Sequence, residues 1–310
     1  MFAPPIVITG PNFHFFARRQ AEEIGVDATI VIEPMRRDSG PAIAAATMVA
    51  SRRDPKAVVL ALAADHIIPD ADAFRATCRA GRVAAEAGRI VTFGIKPTEP
   101  KTSYGYILPG EAIGDGVFAV KSFVEKPDVE TAARYVRDGY LWNSGNFLFR
   151  AAVLLSELKR LEPDMASAVD AAVANASNDL GFLRLESGAF SRAPQKSIDY
   201  AVMEKTDLAA VALGDFRWSD IGSWDALPDI AAANADGNVV RGDAVTIDTK
   251  GSIIHAGSQL VTAIGVKDMV VVGTAGGERG ISGYLAAYDA KTGKQLWKFN
   301  TIPQPDEANF

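Results

Sequence analysis

Short apolar runs alternate with amphipathic stretches along the first two-thirds of the chain. The predicted strands are Ile6–Ile8, Ala28–Ile32, Ala57–Ala63, Ile90–Ile95 and Ala209–Leu213, and the predicted helices are Asn12–Ile24, Pro41–Ser51 and Ala71–Ala87. The run Ala57–Ala63 is apolar at every position, which is typical of a strand buried on both faces of a mostly parallel sheet. Strands and helices that alternate at this spacing predict an α/β fold with a doubly wound, mostly parallel sheet.

The pattern changes in the last third of the chain. From Asn238 to Val272, short β-type runs are separated by Gly and Asp, and the chain then becomes glycine-rich. Such runs predict a small β appendage and not a continuation of the α/β sheet. We therefore predict three parts: an α/β catalytic domain over residues 1–235, the appendage over 236–272 and a tail over 273–310.

Composition narrows the class of protein. The 310 residues include 32 Lys and Arg against 38 Asp and Glu, for a net charge of −6. This balance argues against nucleic-acid binding, which needs clustered Lys and Arg, but a single nucleotide can still bind through backbone N–H groups, one or two Lys side chains and Mg²⁺. The longest apolar run, Ala57–Ala64, is too short to cross a bilayer. We expect a cytoplasmic protein without membrane association.

Two acidic residues are candidates for binding a metal ion. Asp65 follows the apolar strand Ala57–Ala63 and precedes His66. A carboxylate at this end of a strand is well placed to hold Mg²⁺ on a nucleotide phosphate, and it could equally cap the next turn. Asp220, in the polar-aromatic segment Trp218–Trp224, could supply a second carboxylate. For His66, the favoured roles are support of the residues that bind the metal or packing.

Three further segments carry groups suited to a sugar phosphate. Glu125 and Lys126, fixed by Pro127, could offer an acceptor for hydroxyl groups and a cation for a phosphate, or could form a surface ion pair of little consequence. Asn143 lies in a predicted turn over Leu141–Phe147 and can both donate and accept hydrogen bonds. Asp199, with Glu204 after it, is a candidate for lining the sugar end.

In their order along the chain, these segments resemble the mannose-1-phosphate guanylyltransferase family of sugar nucleotidyltransferases. The resemblance covers Pro5 to Val272 and is carried by Glu33–Ala44, Ala64–His66, Thr92–Thr98, Ser103–Ile107, FVEKP from Phe123, WNSGNFLF from Trp142, SIDYAVMEK from Ser197 and WSDIGSW from Trp218. Several ordered motifs make the resemblance specific. It implies the Rossmann-like fold of nucleotide-diphospho-sugar transferases.

The resemblance also implies a reaction. Mannose 1-phosphate attacks the α-phosphate of GTP, giving GDP-mannose and pyrophosphate, with Mg²⁺ as the cofactor. By position in the family, Asp65, Lys126 and Asp220 would be catalytic, Asp65 and Asp220 would hold the metal, and Gly105, Glu125, Asn143 and Asp199 would bind substrate. Two carboxylates, a metal and a lysine suit phosphoryl chemistry, which depends on positioning and charge stabilisation.

The chain departs from the family at both ends. The family opens with a strand and a Gly-rich phosphate loop, and this sequence starts at what would be the second strand, so weak or absent activity is expected. The non-catalytic alternative is a remnant that binds sugar nucleotide. The sheet edge left unpaired is a candidate surface for forming a homo-oligomer.

The tail resembles one blade segment of a pyrroloquinoline-quinone-dependent alcohol dehydrogenase. Its pattern Ala-x-Asp-x-x-Thr-Gly-x-x-x-Trp, from Ala287 to Trp297, predicts a strand, a tight turn and a strand. One segment cannot close a propeller, so we expect a fused fragment, either a dangling hairpin or a poorly ordered tail, without oxidoreductase activity.

Overall fold

The computed structural model describes residues 2–221, 233–256, 261–264, 269–274, 284–289 and 291–300. The chain forms two compact units. The first contains Met1–Ala64 and Asp70–Phe216, and the second contains Asp65–Pro69 and Arg217–Phe310. The division of the chain at residue 235 stays a prediction, while the compact units divide at Phe216.

Strands and helices alternate through the first unit. Its strands are β1 Ile6–Thr9, β2 Thr29–Ile32, β3 Val58–Ala61, β4 Ile90–Ile95, β5 Tyr106–Gly114, β6 Val117–Val124, β7 Leu141–Arg150, β8 Ser177–Asp179, β9 Phe182–Arg184 and β10 Ala209–Gly214. Its helices are α1 His14–Glu23, α2 Ser39–Arg53, α3 Ala71–Glu86, α4 Val129–Arg137, α5 Ala151–Leu161, α6 Pro163–Ala174, α7 Ser187–Phe190 and a π-helix, Asp199–Met203. Every strand and helix predicted before residue 96 is present. Strand β3, expected to be buried on both faces, is only half-buried at every position, because it lies at the edge of its sheet.

The strands of the first unit form two sheets of mixed direction. In the larger sheet, of order β3-β7-β4-β10-β6-β5, β10 is parallel to β4, and the other pairs are antiparallel. In the smaller sheet, of order β1-β2-β9-β8, only β8 runs against its neighbour. The α/β class is confirmed, but the mostly parallel sheet is corrected to a mixed one. An apolar run predicts burial and carries no signal of strand direction.

Helices α2, α5 and α6 pack around one apolar core with the sheets. Apolar residues four positions apart on one helix face are completely buried, such as Leu154 with Leu158 on α5 and Met165 with Val169 on α6. The longest described helix, α3, has 16 residues. None of the described helices is long and apolar enough to cross a membrane.

The second unit contains the predicted small β appendage. Its strands are β11 Val239–Arg241, β12 Ala244–Ile247, β13 Ile253–His255, β14 Val261–Ile264, β15 Met269–Thr274, β16 Tyr284–Asp289 and β17 Gln295–Asn300. Strands β11, β13 and β15 pair in parallel in one sheet, and β12 pairs in parallel with β14 in another. The chain thus alternates between two small sheets, as in a parallel β-helix.

The tail forms the predicted hairpin, but the hairpin does not dangle. β16 pairs antiparallel with β15 from Met269↔Asp289 to Thr274↔Tyr284, so the tail extends the sheet of the appendage. In the turn, the Asp289 carboxylate accepts from the N–H and hydroxyl groups of Thr292, both at 2.7 Å. These bonds hold the pKa of Asp289 below its usual value.

Candidate functional site

Asn143 lies in a long irregular strand and not in the turn that the sequence predicted. Strand β7 runs without interruption from Leu141 to Arg150. Gly145 adopts a φ of +68°, and the pairing with β4 shifts its register between Thr92 and Gly94. The glycine allows this local distortion of the strand, and Asn143 is 6% exposed beside it.

A hydrogen-bond network fixes the orientation of the Asn143 amide. Its Oδ1 accepts from Thr92 Oγ1 at 2.7 Å and from the Gly145 N–H at 3.2 Å. Because both of these donors bind the amide oxygen, the orientation of the amide is fixed, and its Nδ2 group donates to Asp199 Oδ1 at 2.8 Å. Burial raises the pKa of the Asp199 carboxyl above its usual value. The strand and the π-helix are therefore joined through the buried Asn143 and the half-buried Asp199.

Glu125 is buried beside this network with one oxygen available. Its side chain is 8% exposed, and its Oε2 has no hydrogen-bond partner among the described residues. A Cβ atom at Gly105 would lie 2.5 Å from that oxygen and 3.2 Å from the Cβ of Asn143. Gly105 thus leaves room for the carboxylate, which explains why a glycine is required here.

The electrostatics of Glu125 are dominated by its burial. Burial and, to a smaller extent, the neighbouring Asp199 carboxylate raise the pKa of this carboxyl to about 7, against the opposing effect of the Lys126 ammonium group. The Lys126 Nζ lies 3.5 Å from Glu125 Oε1 and its side chain is 56% exposed. Lys126 also has a φ of +48°, in the left-handed region that a non-glycine residue rarely adopts. Such strained backbone is concentrated at functional sites.

We call Gly105, Glu125, Lys126, Asn143 and Asp199 the sugar-side cluster. The structure brings these five predicted residues together, through the contacts of Gly105 with Glu125 and Asn143, of Asn143 with Asp199 and of Glu125 with Lys126. A buried carboxylate oxygen, an oriented amide and an exposed ammonium group can together bind a hydroxylated ligand that carries an anion.

The remaining predicted residues, Asp65 and Asp220, form what we call the acidic pair. They lie in the second unit, on two segments joined by a β-bridge in which Ile67 and Ser219 exchange hydrogen bonds of 2.8 and 3.1 Å. Asp65 lies four residues beyond the end of β3, and not directly after the strand as predicted. The bridge brings the two acidic segments side by side.

The acidic pair is accompanied by an aromatic contact. The Trp218 Nε1 donates to His66 Nδ1 at 3.2 Å, and the two rings meet edge to face with centroids 5.3 Å apart. This contact agrees with the packing role predicted for His66. After Asp220, Ile221 has a φ of +46°, a rare conformation for a β-branched residue. The predicted segment continues into residues 222–224, which lie outside the described residues.

The acidic pair suits one kind of metal ion. Within the described part of the chain, no group of three or more His, Cys, Asp or Glu side chains could hold a metal ion by itself. Mg²⁺ does not need such a group, since it is commonly bound by one or two carboxylates, with phosphate oxygens and water as the other ligands. The assignment of Asp65 and Asp220 to Mg²⁺ therefore stays a prediction from the sequence.

The segment from Glu33 to the first turn of α2 is tied to the residues that precede the π-helix. The Gly40 N–H donates to the Lys196 carbonyl oxygen at 3.1 Å, and Ser39 Oγ accepts from the Ile198 N–H at 3.0 Å. Burial raises the pKa of Glu33, whose Oε2 has no hydrogen-bond partner among the described residues. This segment is thereby fixed to the element that carries Asp199.

One residue of the hydrogen-bond network around Asn143 was not predicted from the sequence. Thr92 is completely buried in β4, where it also donates to the Asn146 carbonyl oxygen at 3.1 Å. A hydroxyl group inside the apolar run Ile90–Ile95 was a usable signal, because a buried polar group needs a partner. Its partner, Asn143, is 51 residues away and could not be identified from the pattern.

Comparisons with known proteins agree on one family. Residues 2–237 match the family described as Nucleotidyl transferase, and residues 242–277 match the family described as MannoseP isomerase/GMP-like beta-helix domain. A solved structure from Thermus thermophilus, described as a mannose-1-phosphate geranyltransferase, is similar with a TM-score of 0.78 at 30% identity, over 92% of this chain and 79% of that one.

Two curated relatives are similar over most of the chain. A mannose-1-phosphate guanylyltransferase of Escherichia coli (strain K12) is 46% identical over 278 residues, 87% of this chain and 58% of the relative. The xanthan biosynthesis protein XanB of Xanthomonas campestris pv. campestris is 44% identical over 272 residues, again 87% of this chain and 58% of the relative. The chain thus spans somewhat more than half the length of these relatives.

Proposed function

The chain belongs to the nucleotidyl transferase family, and on that premise we propose that it transfers the guanylyl group of GTP to mannose 1-phosphate, giving GDP-mannose and pyrophosphate. The observation that carries the proposal is the sugar-side cluster. It combines the partnerless Oε2 of buried Glu125 with the exposed ammonium group of Lys126. The relatives named as mannose-1-phosphate guanylyltransferases supply the choice of sugar and base.

In this proposal, the sugar-side cluster binds mannose 1-phosphate. The carboxylates of Glu125 and Asp199 accept hydrogen bonds from the sugar hydroxyls, and Asn143 holds Asp199 in place through the bond of 2.8 Å. Lys126 pairs with the phosphate, for which its ammonium group is accessible. Because Gly105 has no side chain, the space beside the Glu125 carboxylate stays open, and in this proposal a sugar ring can approach the carboxylate there.

The acidic pair would hold Mg²⁺ through the carboxylates of Asp65 and Asp220. When bound, the ion neutralises charge on the phosphates and orients them for displacement. An oxygen of the mannose 1-phosphate attacks the α-phosphorus of GTP, and the bond from that phosphorus to the β-phosphate bridging oxygen breaks. Pyrophosphate leaves with the electron pair, so the protein needs no covalent nucleophile. Its contribution is positioning and charge stabilisation.

The direct test is pyrophosphate release from GTP and mannose 1-phosphate, with and without Mg²⁺, with the sugar nucleotide identified by mass spectrometry. We expect Mg²⁺-dependent release and GDP-mannose as the product. Glucose 1-phosphate and UTP serve as the alternative substrates. Binding of GDP-mannose without any turnover would contradict the proposal and support the non-catalytic alternative.

The relative named as a xanthan biosynthesis protein extends the proposal by one step. GDP-mannose is an activated sugar and can donate its mannosyl group in glycosyl transfers. We propose that this chain supplies GDP-mannose for polysaccharide biosynthesis. A deletion strain that loses mannose from its surface or secreted polysaccharide, and regains it on complementation, is the expected result.

A further inference from the structure

Glu204 contacts the sugar-side cluster from the end of the π-helix. Its Oε1 accepts a hydrogen bond of 3.0 Å from the backbone N–H of Glu125, 79 residues away in the sequence. Its own backbone N–H donates to the Asp199 carbonyl oxygen at 3.0 Å. One residue is thus bonded to both carboxylate-bearing residues of the cluster, and these bonds are independent of the one between Asn143 and Asp199.

The hydrogen bond to Glu204 supports the chain just beyond the end of a strand. Strand β6 ends at Val124, so the N–H of Glu125 is the first that lies beyond the strand. The next residue, Lys126, has a φ of +48° and precedes Pro127, although a residue before proline favours extended backbone. A left-handed residue in this position is strained and persists only when its surroundings hold it.

Two described hydrogen bonds hold this turn. Besides the bond to Glu204, the Lys126 N–H donates to the Tyr104 carbonyl oxygen at 3.3 Å. The Tyr104 bond is long, whereas the Glu204 bond has a charged acceptor and is the stronger kind. Without Glu204, the turn that carries the Glu125 carboxylate and the Lys126 ammonium group loses its best-placed anchor.

We infer that Glu204 is a positioning residue: its carboxylate holds the Glu125–Lys126 turn so that both side chains meet mannose 1-phosphate in fixed positions. The inference rests on the proposed function, because it names a further residue for that reaction. Glu204 is exposed and contacts the turn at its surface, so its removal is expected to change substrate binding far more than folding. The π-helix then sets the spacing between the hydroxyl-binding and phosphate-binding groups.

The test compares Glu204→Ala with Glu204→Gln. Alanine removes the acceptor, whereas glutamine keeps an oxygen that can accept the same bond. Glu111→Ala, at an exposed position of β5, is the matched control. We expect Glu204→Ala to raise the KM for mannose 1-phosphate on the order of tenfold, with the KM for GTP and the melting temperature unchanged, and Glu204→Gln to restore most of the loss.

A measurement that does not depend on turnover separates the two proposals. Amide hydrogen exchange at Glu125, followed by NMR, is expected to accelerate on the order of tenfold in Glu204→Ala and to stay near the wild-type rate in Glu204→Gln and Glu111→Ala. Unchanged exchange at Glu125 in Glu204→Ala would overturn the inference, whether or not the wild-type chain is active. Faster exchange in a chain that neither binds mannose 1-phosphate nor releases pyrophosphate would leave Glu204 as the anchor of the turn and refute the proposed function alone.

Discussion

The sugar-side cluster and the acidic pair are held by the chain in different ways. Glu125 and Asn143 are almost completely buried, and each is fixed by hydrogen bonds to a residue distant in the sequence. Asp65 is exposed and Asp220 is half-buried, on two segments joined by a single β-bridge. The first arrangement suits recognition of hydroxyl groups, whose donors and acceptors must be fixed. The second suits a hydrated ion that must exchange water for phosphate.

Substitutions in the sugar-side cluster and in the acidic pair are expected to have different effects. Changes in the sugar-side cluster are expected to alter both the free energy of unfolding and sugar binding, because the same hydrogen bonds serve both. Changes in the acidic pair are expected to abolish turnover while leaving stability almost unchanged. The following substitutions test whether the two groups of residues differ in this way.

The largest effect is expected for Asp65→Asn and Asp220→Asn. Each change removes a negative charge from the proposed ligands of Mg²⁺, so kcat should fall about a thousandfold with the melting temperature unchanged. Pyrophosphate release and thermal unfolding measure the two quantities. Asp215→Asn, at another exposed aspartate, is the control. A loss of less than tenfold in both variants would remove the acidic pair from the mechanism.

Glu125→Gln is expected to change how stability depends on pH. The folded-state pKa of Glu125 is raised from 4.5 to about 7, so the folded protein binds a proton that the unfolded chain has released. In the wild type, this group therefore makes the free energy of unfolding fall as pH rises from about 4.5 to about 7, by on the order of 3 kcal/mol. The variant lacks this decline.

Chemical denaturation at several pH values measures this effect. The stability of Glu125→Gln relative to wild type should increase between pH 4.5 and pH 7.5 and stay constant above that interval. Glu111→Gln, at an exposed position of β5, should follow the wild type throughout. Parallel curves for wild type and Glu125→Gln would show that this carboxyl titrates at its ordinary pKa.

Gly105→Ala tests the space beside Glu125. The added Cβ would lie 2.5 Å from Glu125 Oε2, and this carboxylate can move aside at small cost to folding. The KM for mannose 1-phosphate should rise about thirtyfold, as a displaced hydrogen-bonding group costs about 2 kcal/mol. Gly10→Ala, where a Cβ would meet nothing within 4 Å, is the control. Equal KM values in the two variants would contradict the assignment of Gly105.

The smallest effect is expected for Thr92→Val. The change keeps the shape of the side chain and removes the hydroxyl that donates to Asn143 Oδ1 at 2.7 Å. The free energy of unfolding should fall by about 1–2 kcal/mol. Thr92→Ser, which keeps the hydroxyl, should lose less through the hydrogen bond, and denaturant unfolding of both variants measures the difference. Greater loss in Thr92→Ser would show that the methyl group, and not the hydroxyl, is important.

The sequence predicts local features of this fold far better than its long-range ones. Runs such as Ile90–Ile95 identify strands because burial on both faces leaves a pattern that is apolar at almost every position. Strand direction is absent from that pattern, so the sequence does not predict the mixed sheet. The sequence pattern favours a turn at Asn143 because Asn and Gly favour turns, whereas the pairing of β7 with β4 overrides this preference.

For the candidate site, the residue types in the sequence predict which roles the side chains can take, but not which residues they contact. Adjacent Glu125 and Lys126 could be recognised from the sequence as an acceptor and a cation. Whether they form an isolated surface pair or part of a site depends on Asp199 and Glu204, which lie more than 70 residues further along the chain. Only the folded chain brings the π-helix to the end of β6.

The most direct test of this division of roles is calorimetric binding of GDP-mannose in the presence of EDTA, which removes Mg²⁺. We predict that the wild type and the double variant Asp65→Asn/Asp220→Asn bind with similar affinity, because the sugar-side cluster is complete in both. Gly105→Ala should bind at least tenfold more weakly. Loss of binding in the double variant, with binding retained in Gly105→Ala, would contradict the account.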